Sequence, residues 1–272
     1  MRCHNFNKPV DNLPKTLTHL TFSNSFNQPV DNLPENLTHL TFSTLFNQHV
    51  DKLPKTLTHL TFSTTFNQLV VNLPESLIHL KFGEEFNQSV DNLPDNLTHL
   101  TFGEQFNQSV DNLPENLTHL YFGKTFNQSV DNLPKKLTHL AFNKAFNQPV
   151  DKLPETLTYL TFSESFNQSV DNLPKKIQLL NIICNYNIKT IPKNIKTICL
   201  SNNNVIINNL PEHIETLYIA FGPNIKLLNN FPITLKEIIV SKEDVKYIQK
   251  PYGAIITNKY LKNLYDVYDS SV

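Results

Sequence analysis

Residues 86–105 read FNQSVDNLPDNLTHLTFGEQ, and the chain writes nearly the same string again every twenty residues. Phe-Asn stands at Phe6, Phe26, Phe46, Phe66, Phe86, Phe106, Phe126, Phe146 and Phe166 without a slip of register. Leu-Pro keeps step from Leu13 to Leu173 and continues less regularly at Ile191-Pro192, Leu210-Pro211 and Phe231-Pro232, so the chain holds about twelve coils. In the first full coil the apolar positions are Leu13, Leu17, Leu20, Phe22, Phe26 and Val30, and the same six columns stay almost wholly apolar in the later strict coils. Leu20 and Phe22 are two apart, the period of a strand, with His19, Thr21 and Ser23 interleaved. Twenty residues cannot hold a strand, two turns and a full α-helix, and the proline forbids a regular helix at its own position. The expected fold is therefore mainly β: a parallel β-solenoid with one short strand per coil and a return side of extended or short 3₁₀ structure.

One coil cannot cover six apolar side chains. Stacked coils share a continuous core, at about 1.5–3 kcal/mol for each large side chain fully buried. Strands in such a stack lie about 4.8 Å apart, so residues twenty apart become columns. The residue after Leu-Pro runs Lys15, Glu35, Lys55, Glu75, Asp95, Glu115, Lys135, Glu155, Lys175, with opposite signs at six of the eight steps, as an exposed ladder in register prefers. The Asp column, Asp11, Asp31, Asp51, Asp91, Asp111, Asp131, Asp151 and Asp171, would align like charges. An Asx-turn, each carboxylate accepting the N–H of the Leu two residues on, offsets this. Calcium is the poorer reading, because one Asp per coil supplies too few convergent oxygens.

The net charge of -1 lacks the basic footprint that nucleic acid or an anionic membrane would demand. No apolar run reaches membrane-spanning length, and the start MRCHNFNKPV lacks a signal peptide's basic and apolar regions. Cys3, Cys184 and Cys199 are too few for a disulfide framework, which fits a reducing compartment such as the cytoplasm, or a host's cytoplasm for a viral protein.

The string Phe-Asn-Gln-x-Val-Asp-Asn-Leu-Pro-x-x-Leu-Thr-His-Leu-x-Phe resembles the FNIP repeat family, short-coil relatives of the leucine-rich repeats in amoebae and in giant DNA viruses. The strict repeats fill 1–187. Degenerate coils of the same solenoid occupy 188–245, where Ile195-x-x-Ile198-x-Leu200-x-x-Asn203-x-Val205 is similar to the general leucine-rich-repeat strand segment. Residues 246–272 are read as a C-terminal cap or tail, with Tyr260, Leu261, Leu264, Tyr265 and Tyr268 at the spacing of a short amphipathic helix. The resemblance implies a protein-binding repeat surface. In many members it also implies an N-terminal F-box docking a ubiquitin-ligase core; this sequence starts half a coil before its first Leu-Pro, so only the recognition half is carried over.

Relatives bind through the strand face, and its outward positions are the candidate site. One column is His19, His39, His59, His79, His99, His119, His139 and Tyr159; the next carries Lys81 and Tyr121 among threonines; the third, Ser23 to Ser163, is small throughout. Imidazoles and tyrosines supply hydrogen-bonding and stacking contacts to a partner protein. A straight histidine column offers zinc two adjacent rings with no acidic or thiolate third ligand, so stacked neutral rings are the better reading, and no metal or other cofactor is expected. Like charges at strand spacing would depress the histidine pKa values, whereas mutual repulsion would raise those of the Asp column. Ser, His and Asp recur in every coil, which singles out no catalytic set, and no enzyme activity is expected. The function read from the sequence is a scaffold that binds an unidentified protein, in the manner of a substrate-recognition element. The rivals are a structural module associating end to end through its N-terminal end, and a shortened family copy with little function of its own.

Overall fold

A computed structural model of the chain describes residues 5–162, 164–182, 191–200, 210–219, 231–240 and 253–258. Seven three-residue strands share the pattern His-Leu-x: β1 (His19–Thr21), β2 (His39–Thr41), β3 (His59–Thr61), β4 (His79–Lys81), β5 (His99–Thr101), β6 (His119–Tyr121) and β7 (His139–Ala141). Six longer ones follow: β8 (Tyr159–Phe162), β9 (Leu179–Ile182), β10 (Thr197–Leu200), β11 (Thr216–Ile219), β12 (Glu237–Val240) and β13 (Ile255–Asn258). All thirteen form one sheet in chain order, and every neighbouring pair is parallel. His19 pairs with His39 and Leu20 with Leu40, so residues twenty apart are spatial neighbours. The strand count exceeds the twelve coils expected, because β13 falls within the stretch 246–272 read as a cap or tail. The helix expected over Tyr260 to Tyr268 lies outside the described residues.

Each coil turns at its proline, whose carbonyl accepts the N–H three residues on, as from Leu37 to Pro34 at 3.1 Å. No regular helix follows, and none is present among the described residues. The interior is two columns of phenylalanine. Within a coil, rings such as Phe42 and Phe46 stack with centroids 3.6–3.8 Å apart. Between coils the Phe26-type rings repeat every 6.1–6.2 Å. Leu37, Leu57 and their equivalents through Leu157 are wholly buried beside them.

The backbone at the bend after each Phe is satisfied by a second ladder, which the sequence reading did not assign. Asn27 Oδ1 accepts the Asn47 N–H at 3.0 Å and the Gln48 Nε2–H at 3.0 Å, and the pattern repeats through Asn147, Asn167 and Gln168. Its signal in the sequence is the unbroken Asn after every repeat Phe.

Two expected columns behave differently. Six of the Asp carboxylates, Asp11, Asp31, Asp91, Asp111, Asp131 and Asp151, reach the next coil instead of the Leu N–H two residues on: Asp91 accepts from Asn112 at 3.1 Å and Asp131 from Lys152 at 2.7 Å. Asp91 also accepts from Ser89 Oγ at 2.7 Å. From Asp11 to Asp151 the residue 21 on is an Asn or Lys with an amide or ammonium donor, and a partner of that kind answers the carboxylate better than a single local N–H. The alternating column from Lys15 to Lys175 forms no ion pair among the described residues; the pairs are Lys52–Asp31, Lys124–Glu104, Lys144–Glu164, Lys152–Asp131, Lys196–Glu215 and Lys236–Glu215. Long exposed side chains in water gain too little from pairing to offset the entropy of holding one geometry.

Candidate protein-binding face

The strands turn their histidines outward because each central Leu must point into the core. The seven rings form one stack, with successive centroids 4.1–4.4 Å apart from His19 to His139. Each ring except that of His79 is held by the threonine before it, whose Oγ1 lies 2.8–2.9 Å from Nδ1. From Thr38 on, those hydroxyls also donate to the carbonyl of the preceding coil, as Thr58 does to Thr38 at 3.0 Å. A hydroxyl has one proton, so at His39, His59, His99, His119 and His139 the ring must donate from Nδ1 to Oγ1. Nε2 is left as the unprotonated acceptor, and the ladder becomes a row of hydrogen-bond acceptors at strand spacing.

Six of the seven rings are held toward the neutral form. Burial, ahead of repulsion between neighbouring rings, lowers the pKa of His39, His59, His79, His99 and His119, the last to about 4. Burial lowers His139 as well. Repulsion alone was the expected cause, but packed rings lose water before they meet a neighbouring charge. Asp91 moves opposite to the expectation for its column: donation from Ser89 and Asn112 lowers its pKa.

Beside the ladder run Thr61, Lys81, Thr101 and Tyr121, paired in register across β3 to β6. Together with His59, His79, His99 and His119 they line a shallow concavity of about 510 Å³. Burial, then Tyr159, pushes the Tyr121 phenol up to about 12, so it remains a donor at neutral pH.

Three expectations about this face change. Tyr159 was placed on it but is only 9 % exposed. In the column beside the histidines Ala141, Thr161, Asn181, Cys199 and Ile239 are also buried, whereas Leu179, Thr197, Thr216 and Glu237, which continue the histidine column, stay partly exposed. The small third column does not make room for a partner at β4 to β6. A Cβ added at Gly83 would lie 1.7 Å from the Ser63 carbonyl oxygen, and at Gly103 and Gly123 the corresponding distance is 1.8 Å, so it is the neighbouring coil that needs the space. The structure brings His19, His39, His59, His79, His99, His119 and His139 together with Lys81 and Tyr121, and Tyr159 continues the stack on His139, ring centroids 5.7 Å apart, as a buried ring. Among the described residues no three His, Cys, Asp or Glu side chains converge as a metal site would require, and no helix is long and apolar enough to cross a membrane.

The FNIP Repeat signature matches residues 6–45, 26–65, 46–85, 66–105, 86–112 and 106–145. Among solved structures the chain is similar to the giant-virus protein CroV588, described as a novel circular leucine-rich-repeat protein, with 34% identity and a TM-score of 0.70. That match covers 93% of this chain and 45% of the other, so the chain spans less than half of that protein's length. YopM from Yersinia enterocolitica matches with 18% identity and a TM-score of 0.48, over 90% of this chain and 60% of that one. No curated protein matches the chain.

Proposed function

This chain belongs to the FNIP repeat family, and on that premise we propose that it is a non-enzymatic scaffold that holds a partner protein against the open strand face of β1 to β7. Its leucine-rich-repeat-like fold is one commonly used for protein interaction. The observation that carries the reading is the contrast along the column beside the histidines: its side chains stay accessible from Thr21 to Tyr121, while Ala141, Thr161, Asn181 and Cys199 in the same column are buried. An ordered face whose polar groups are fixed before binding loses little entropy when a partner docks. A substrate-recognition role follows if the partner is then delivered to an enzyme carried by another protein.

The test is capture from an amoeba lysate by the wild-type chain and by two variants of equal thermal stability. One replaces His59, His99 and His119 with Gln; the other replaces the exposed Lys15, Lys55 and Lys135 away from the strand face. Loss of one specific partner with the first variant alone supports the reading, and loss with neither removes it.

A second reading has one observation in its favour. The neighbour at 0.70 is described as circular, and this chain covers 45% of it. Coils continuing end to end, from a second copy or from further repeats, would supply the remaining arc. Sedimentation mass settles this: a species at a multiple of 31.3 kDa supports closure, and a monomer at every concentration removes it for this chain.

A further inference from the structure

We propose that the histidine ladder is an acid-operated release switch, in which protonation turns alternate rungs of the binding face from hydrogen-bond acceptors into charged donors and so releases the partner protein. The proposal rests on the reading of this face as protein-binding and adds how that binding is regulated.

The clamp on each ring decides what protonation does. At His39, His59, His99, His119 and His139 the threonine hydroxyl gives its proton to the preceding coil, so Nδ1 donates to Oγ1 and Nε2 is the acceptor. A proton arriving at such a ring goes to Nε2. The Nδ1–H and its threonine partner are the same in both states, so the ring keeps its place while its outer edge changes from acceptor to donor. A partner N–H that donated to Nε2 then meets another donor, and a matched contact becomes an unmatched one beside a positive charge.

The stack sets the order. Successive rings lie 4.1–4.4 Å apart, inside the screening length of about 8 Å at physiological salt, whereas rings two steps apart are separated by about 9.6 Å and largely screened. His59, His99 and His139 can therefore charge together without an adjacent charged pair. His79 and His119 each then stand between two charged rings. His139 favours this set over its alternative, because its far side meets the Tyr159 ring instead of another imidazole. The lowering of the His119 pKa to about 4 agrees with its place in the second set. Among the described residues the titratable groups flanking the stack are Lys81 and Tyr121 in the next column and Tyr159 at its end. No carboxylate lines the concavity to relieve the repulsion, and the charges acting on the rings from His39 to His119 are those of other histidines. The first protons are thus spread along the face, where each spoils a separate contact.

The first arm of the experiment is a nitrogen NMR titration of the histidine-labelled chain from neutral pH to about pH 4 at physiological salt. The expected result is protonation at Nε2 in two stages, with His59, His99 and His139 ahead of His79 and His119. In His99→Gln the midpoints of His79 and His119 should rise by at least about half a unit while those of His59 and His139 hold. The second arm uses the band that an amoeba lysate leaves on the immobilised wild-type chain at neutral pH and not on the chain with His59, His99 and His119 replaced by Gln. That band should elute over the first stage of the titration, with the amides of β3 to β6 still protected from hydrogen exchange. One common midpoint for all rings, or neighbours unmoved by His99→Gln, overturns the switch. So does a band that stays bound through the first stage, or that leaves only as the amides lose protection; the protein-binding face stands in either case. If the lysate leaves no such band, the protein-binding reading falls and takes the switch with it, even where the rings titrate in two stages.

Discussion

His79 lies 4.1 Å from His99 with their rings tilted by 23°, against 10–11° between the other neighbouring histidines, and Ile78 explains the difference. Every other ring of the ladder is held at Nδ1 by a threonine hydroxyl, whereas Ile78 has none to offer and exposes 37 % of its own surface instead. Ile78→Thr should supply a donor to the Thr58 carbonyl and an acceptor for His79. The expected gain is about 0.5–1.5 kcal/mol in urea unfolding, the ordinary worth of a hydrogen bond. The nitrogen NMR signals of His79 should also move to the Nδ1-protonated pattern of His99. Signals that stay put would show that the threonine does not set the tautomer.

Stability should depend on pH through the same ladder. The folded-state pKa of His39, His59, His79, His99, His119 and His139 is lowered, burial first and neighbouring rings second where they contribute. The unfolded chain takes up protons from about pH 6.5 downward, while the folded chain resists. Their contribution is thus complete above about 6.5 and is lost as pH falls through the lowered values, for His119 at about 4. Asp91, whose pKa is lowered from 3.8, adds a loss of the same sign in a still more acid range. Calorimetry should find a melting temperature level above pH 6.5 and falling toward pH 4, and replacing the seven histidines with Gln should flatten that slope. A wild-type midpoint unchanged from pH 7.5 to 4.5 would contradict the linkage.

The spacing of Phe86, Leu93, Leu97 and Leu100 contains the core of their coil, because only stacking makes the same column apolar coil after coil. The histidine face was legible for the same reason. What a column's period does not state is whether its outer side stays open. Tyr159 continues the histidine column in sequence and is buried in the fold, as Thr161 is beside it. Gly83 shows a second limit, since a small side chain reads identically whether a partner or the neighbouring coil approaches it. Asp91 shows a third: its local partner Ser89 and its distant partner Asn112 both lie within the repeat string, but the carboxylate's reach across the stack emerges only from the geometry.

Removing one rung of the asparagine ladder should show how tightly the coils are coupled. Asn87 Oδ1 accepts the Asn107 N–H at 2.9 Å and the Gln108 Nε2–H at 3.0 Å. Asn87→Ala leaves that backbone donor without its acceptor at a partly buried bend, which should cost about 1–3 kcal/mol. Because each coil contacts only its neighbours, hydrogen exchange should quicken most at the Phe86 and Phe106 coils and fade with distance along the stack. Uniform quickening throughout the chain would mean that the solenoid opens as one unit.

Two glycines separate steric from backbone requirements. At Gly103 an added Cβ would lie 1.8 Å from the Gly83 carbonyl oxygen, a contact that only movement of the neighbouring coil relieves. Gly103→Ala should therefore cost toward the upper end of the about 1–3 kcal/mol typical of overpacking. At Gly253 the added Cβ meets nothing within 4 Å, but φ is +83°, a left-handed conformation that disfavours any other L-residue by about 1–2 kcal/mol. Denaturant unfolding should rank Gly103→Ala as the more harmful change. A double variant carrying Gly83→Ala as well should fall short of the sum of its parts, because one displacement of the coils accommodates both methyl groups. Strict additivity, or a Gly103→Ala protein as stable as wild type, would show that these coils have slack the close backbone approach denies them.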